Sequence, residues 1–334
     1  MKYARHIIVA LMLLLVAGSA YVQEAKANKA IDRHALKAPA EAEESLEGLA
    51  KYLAAPCKTD RDKARAIFSW ITDRVAYDAE SYFAKKREDN SPEAVLKSRK
   101  AVCAGYANLF ADLARRIGLE VATVSGYAKG VGYEPDKRLT ETNHAWNAVR
   151  IDGDWQLVDA TWGAGYLKDK EFVKRFTPHY FMVDPEKLIF SHLPADEKWQ
   201  LRTSIVEADE FWQQPKVDRG LWELGVAPDA VRKTLASKQF REFVHVYTFP
   251  NQSTTLVKVP LEKQLRAGSK YTFEIKSDDF AEMGALQDKR PIAFAKKGNV
   301  FRGTVQPQMG QLRIVGRPKE EKNRYTGVLQ YEVE

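Results

Sequence analysis

Downstream of Cys103 the apolar residues Tyr106, Leu109, Phe110, Leu113, Ala114 and Ile117 recur at steps of three and four, and Gly118 follows where a helix C-terminus favours glycine. The spacing predicts one buried helix with a cysteine in its first turn. Unpaired backbone N–H groups and the positive end of the helix dipole gather at that end, so a thiol there ionises more readily than a free cysteine. Most lone cysteines are small buried hydrophobes. Cys103 therefore becomes a candidate nucleophile only if the chain supplies a partner.

The stretch from Asn143 to Ile151 reads as a strand, Asp152-Gly153 as a tight turn, and Asp154 to Trp162 as the returning strand. With Asp152 and Gly153 as the two loop residues, Ile151 pairs with Asp154 and His144 falls opposite Thr161. Residues two apart share a face, which puts Asp159 on the His144 face, one diagonal step away. A carboxylate there can hold the imidazole by one ring nitrogen and leave the other for a thiolate. Nucleophile, base and orienter then follow in the order Cys103, His144, Asp159, as acyl transfer requires. Trp146 shares the His144 face and Trp162 follows Asp159; each either shields the pair from water or packs the core. Tyr77, at the end of the preceding helical segment, either packs or donates a hydrogen bond to an oxyanion, beside the backbone N–H of Cys103. These three aromatic residues are the candidate substrate-binding positions.

Three blocks carry a family resemblance: Ala101-Val102-Cys103-Ala104-Gly105-Tyr106-Ala107, Asn143-His144-Ala145-Trp146-Asn147 and Val158-Asp159-Ala160-Thr161-Trp162-Gly163. They resemble, in order and spacing, the signature segments of the transglutaminase-like superfamily, whose core is a papain-like fold. The run from Tyr180-Phe181-Met182-Val183-Asp184-Pro185 to His192 through Leu201 is similar to a segment of the kyphoscoliosis-peptidase-like branch. The resemblance implies an α+β core of helices packed on an antiparallel sheet, with Cys103 as nucleophile, His144 as base and Asp159 as orienter. It implies a cysteine-type peptidase or amidase if water accepts the acyl group, and a cross-linking transglutaminase if an amine does. A non-catalytic surface-binding or scaffold protein on the same fold is the alternative. Such chemistry needs no cofactor and acts on a protein or peptide substrate. His179 and His192 lack the spacing of a metal site and read as structural, so no metal is expected.

Lys2 and Arg5, an apolar run from Ile7 to Ala17 and then Gly18-Ser19-Ala20 have the pattern of a secretory signal peptide, cleaved after Ala20 or Ala27. The run is too short for a permanent membrane span. The expected location is therefore secreted or in the cell envelope. In an oxidising compartment Cys57 and Cys103 could pair, which would make Cys103 structural; a free thiol fits the helix start better.

Residues 28–215 form the expected transglutaminase-like domain with a helical lead-in, including a helix from about Glu41 to Leu53. Residues 216–334 show short alternating stretches between Gly, Pro and Asn turns, at the spacing of a β-sandwich, and the stretches Pro307 to Val315 and Tyr325 to Tyr331 resemble the C-terminal immunoglobulin-like module of the same branch. This second part holds 21 Lys and Arg against 14 Asp and Glu, a net of +7 that equals the figure for all 334 residues. Attraction to an anionic cell-wall or membrane surface would follow. Nucleic acid is not an expected partner, since no binding motif for it is present.

Overall fold

The computed structural model describes residues 27–134, 137–237, 240–247 and 253–334. The expected leader lies outside these residues apart from Ala27. Two compact units divide the chain: residues up to 132 with 139–188 and 192–205, and residues 133–138 and 189–191 with 206–334. Among the described residues no helix is long and apolar enough to cross a membrane.

In the first unit the lead-in is more than a connector. Residues 27–35 are helical, with Ile31 and Ala35 buried and Asp32 gripped by Arg65 at 2.7 and 2.9 Å. The helix expected from Glu41 is broken. A 3-10 turn spans Ala40–Glu44, the chain extends at Ser45, and the Ser45 side chain then caps Leu46–Ala54 by accepting from the Gly48 N–H. Thr59 and Asp62 form a capping box on the helix Asp60–Arg74, which buries Ala66, Ile67, Trp70 and Ile71 completely.

The helix Cys103–Arg116 packs on the strand His144–Ile151 and covers Tyr106, Leu109, Phe110 and Leu113. Gly105 lets it sit close to its neighbours: a Cβ there would lie 2.6 Å from Ala101 Cβ and 2.9 Å from Val95 Cγ2. The sheet beneath it is antiparallel, in the order Phe181–Val183, Asp154–Val158, His144–Ile151, Val121–Ala128, His192–Pro194. Asp152 and Gly153 both have positive φ, 51° and 93°, as a two-residue hairpin turn demands.

That turn sets the expected register, with Ile151 opposite Asp154, but pairing ends at Asn147 and Val158. The returning strand does not run to Trp162, and His144 does not face Thr161. Asp159 instead accepts the Trp162 N–H at 2.9 Å and caps a short helix, Ala160–Ala164. A carboxylate satisfying a helix N–H outweighs the weak strand preference of Ala160 and Gly163.

The second unit begins with three short helices, Ala208–Gln213, Arg219–Glu223 and Pro228–Leu235. A β-sandwich follows. One sheet runs His245–Val246, Thr326–Val333, Gly310–Pro318, Phe280–Gln287, Arg290–Ala293, with Gln264–Leu265 also on Thr326–Val333. The other runs Thr255–Lys258, Tyr271–Lys276, Val300–Val305, Ala295–Lys297. Phe273 and Tyr331 meet edge to face between them, centroids 5.8 Å apart. Phe280–Gln287 was not legible as a strand, because Glu282, Met283, Gly284 and Ala285 have little strand preference; pairing on both sides imposes it.

Candidate active site

Cys103 opens its helix, and Val102, the residue before it, offers no side-chain cap. The Gly105 N–H closes on the Val102 carbonyl at 2.9 Å, so it is the Cys103 and Ala104 N–H groups that face the helix start without a side-chain cap. His144 opens the next strand of the site, and its Nε2 lies 2.8 Å from Asp159 Oδ2. Cys103 lies within electrostatic reach of that imidazole and of the Ala145 backbone N–H. With Nε2 on the carboxylate, Nδ1 is the nitrogen left for a thiol. His144 and Asp159 thus meet directly beside Cys103, although Asp159 arrives as a helix cap and not from a strand.

Burial is nearly complete: His144 is 8% exposed and Asp159 0%. Burial alone would raise the carboxyl pKa, but the charge and N–H of His144, with the N–H of His192, hold Asp159 well below the usual carboxylate range. Burial would likewise lower the imidazole, yet the Asp159 carboxylate and the Cys103 hydrogen bond push His144 up to about 10. For Cys103, burial pushes up while the His144 hydrogen bond and charge and the Ala145 N–H pull down; the net direction is below the ordinary thiol. These directions together favour thiolate beside imidazolium. Cys57 behaves oppositely. Its Sγ donates to Leu53 O at 3.2 Å and burial pushes it up to about 11. Both cysteines are free thiols.

The aromatic candidates surround this centre. Trp146, 1% exposed, stacks on His144 with centroids 5.8 Å apart, and Trp162 approaches the same ring at 5.8 Å from another side. Tyr77 pairs in register with Ala101, two residues before the cysteine, and lies within electrostatic reach of Cys103. Burial and the neighbouring thiolate push its phenol far up, so the hydroxyl keeps its proton and remains a donor.

His192, read from the sequence as structural, lies against this centre. Its Nε2 lies 3.1 Å from Asp159 Oδ2, and its ring meets Trp162 at 4.4 Å. It arrives through pairing of His192 with Ala128. Asn143 locks that neighbourhood, accepting the Ala128 N–H at 2.7 Å and donating to the Ala128 carbonyl at 3.0 Å. No spacing along the chain signals the contact. The quoted His192-Leu193-Pro194 run was the one available clue. His144, Asp159 and His192 bring ligand atoms within 4.8 Å of one another, a two-histidine, one-carboxylate set able to hold a metal ion. Two hydrogen bonds of ordinary length account for that proximity without one.

Residues 47–160 match the sequence profile of the Transglutaminase-like superfamily. Human "Kyphoscoliosis peptidase" is 37% identical over 163 residues, 48% of this chain and 25% of that protein. Drosophila melanogaster "Hillarin" is 31% identical over 201 residues, 56% of this chain and 24% of that protein. The Caenorhabditis elegans "Lim and transglutaminase domain protein ltd-1" is 31% identical over 189 residues, 52% of this chain and 25% of that protein. The chain spans about a quarter of the length of these relatives.

Proposed function

Starting from residues 47–160 as a domain of the transglutaminase-like superfamily, on the branch of the kyphoscoliosis peptidase, we propose that this protein is a cysteine acyl-transfer enzyme acting on amide bonds of peptides or proteins. One observation carries the proposal: a buried imidazole is held by the Asp159 carboxylate through Nε2 at 2.8 Å and lies within electrostatic reach of Cys103, so that Nδ1 is left to serve the thiol. Cys103 is the nucleophile, His144 the base and then the acid, and Asp159 the orienter.

The Cys103 thiolate attacks the amide carbonyl. The oxyanion is met by the Cys103 backbone N–H at the uncapped helix start and by the Tyr77 hydroxyl. The carbon–nitrogen bond breaks as His144 gives its proton to the leaving amine. A water that then loses its proton to His144 attacks the thioester, releases the acid and restores the thiol. Trp146 and Trp162 keep bulk water off the imidazole and strengthen its coupling to Asp159. An amine in place of water would make a cross-link. Hydrolysis is the favoured outcome, supported by the abundance of water and by the word peptidase in the name of the human relative.

The charged and apolar pattern of residues 1–27 supports export, and the basic excess of residues 216–334 supports attraction to an anionic cell-wall or membrane surface. The test is alkylation of the purified protein across pH 4 to 9, with mapping of the modified cysteine and comparison with His144→Ala. Rapid labelling of Cys103 well below the free-thiol range of about 8.5, slowed in the variant, is the expected result. Slow labelling of Cys103 in both proteins overturns it.

A further inference from the structure

Two imidazoles end on one oxygen. Asp159 Oδ2 takes His144 Nε2 at 2.8 Å and His192 Nε2 at 3.1 Å, while Oδ1 takes the Trp162 N–H at 2.9 Å. His192 is 1% exposed, and its ring is walled in by Trp162 at 4.4 Å, Trp146 at 5.2 Å and His144 at 5.2 Å. The strand pairing of His192 with Ala128 would be satisfied by any side chain. An aromatic ring without a donor would keep the packing against Trp162 and Trp146, so the Nε2–Asp159 bond is what a histidine adds there.

A donor on a buried carboxylate stabilises its charge and supplies positive potential to every group nearby. We infer that His192 is a positioning residue that fixes the Asp159 carboxylate and sets the pH at which the Cys103–His144 pair ionises. The inference rests on the acyl-transfer function proposed above. Removing the donor takes away positive potential, so the ionisations of Cys103 and His144 both move to higher pH.

Other titratable groups face the same centre. The Tyr77, Tyr82 and Tyr106 phenols are pushed up by burial and stay protonated through neutral pH. Tyr180 stands 6.4 Å from the His192 ring. Lys129 follows Ala128, is fully buried and is pushed down by burial to about 7. It titrates inside the window, so its influence must be held constant.

The experiment is iodoacetamide alkylation of the full chain in a Cys57→Ser background, as a pH profile for the otherwise unchanged protein, His192→Phe and His192→Gln. Phenylalanine fills the aromatic box without a donor; glutamine restores an N–H. The acid limb of His192→Phe is expected to move up by about one pH unit, which slows labelling about tenfold at pH values below both limbs. His192→Gln recovers most of that loss, and the shift persists in a Lys129→Met background. An unchanged limb in folded His192→Phe overturns the inference, as does a shift that vanishes with Lys129→Met. Absence of any depressed limb in the unchanged protein instead overturns the acyl-transfer function itself. If His192→Phe does not fold, the ring 15N–1H spectrum of the unchanged protein decides. A His192 Nε2–H signal that shifts on alkylation of Cys103 supports the coupling, and no response rules it out.

Discussion

Asn147 Nδ2 donates to the carbonyl of Ala107 across 3.0 Å, joining the strand that carries His144 to the helix that carries Cys103. Asn147 is 1% exposed and lies three residues after the histidine; Ala107 lies one turn after the cysteine. This buried tie holds the two reacting groups in register. The Asn147→Ala variant is expected to lose about 1–3 kcal/mol of stability. It is also expected to label Cys103 more slowly at acid pH. Urea unfolding and alkylation of the same sample test both effects, and unchanged labelling in a destabilised variant would leave Asn147 a purely structural role.

Stability should depend on pH through the buried charges. The Asp159 pKa is depressed from its ordinary 3.8, so its stabilisation is present above that value and is lost as pH falls below it. The His144 pKa is raised from 6.5 to about 10, so its stabilisation is complete below 6.5 and gone above 10. Cys103, depressed from 9.0, contributes with the opposite slope below that value. The imidazolium holds the proton that the thiol released, so the two slopes oppose one another below 9.0, and above 9.0 the His144 slope stands alone. Unfolding free energy is expected to fall from 9.0 to about 10 with a limiting slope of about 1.4 kcal/mol per pH unit, and to fall again on the acid side as Asp159 is protonated. Asp159→Asn should flatten the acid side. Urea midpoints from pH 3 to 10.5 test this, and an acid limb that survives in Asp159→Asn would assign it to other carboxylates.

Tyr77→Phe separates packing from catalysis. The ring keeps its contacts with Tyr82, Tyr106 and Phe172, at 5.8, 6.5 and 6.5 Å, while the donor is lost. For an oxyanion donor kcat is expected to fall about 10²-fold with little change in KM. Steady-state hydrolysis of a peptide amide measures it; unchanged kcat would confine Tyr77 to packing.

Asp32 and Arg65 bind the lead-in helix to the domain. The guanidinium reaches the carboxylate through two nitrogens, Ser69 Oγ donates to the same carboxylate at 2.5 Å, and the Arg65 side chain is only 6% exposed. Asp32→Ala strands that cation and is expected to lower stability by about 3 kcal/mol. The double variant Asp32→Ala with Arg65→Leu is expected to recover a large part of it. Thermal melting of the three proteins checks this. Equal losses in the single and double variants would place the effect in lost packing.

Local signals carried much of the fold. The three- and four-residue spacing after Cys103 specifies a helix because a helix has one period, and Asp152-Gly153 specifies a hairpin because few residue pairs adopt two positive φ angles. The hairpin implies that His144 and Asp159 approach one another, while the place of Cys103 beside them was implied by the family resemblance of the three blocks. What tertiary structure decided was everything set by partners distant in the chain. Asp159 met both histidines, 15 and 33 residues away along the chain. Phe280–Gln287 became a strand between Gly310–Pro318 and Arg290–Ala293. His192 reached the carboxylate through pairing with Ala128, far earlier in the chain. Periodicity and turn chemistry are properties of a few adjacent residues and can be read directly. Strand pairing and shared hydrogen-bond acceptors arise between segments far apart, where the sequence of either segment carries no record of the other.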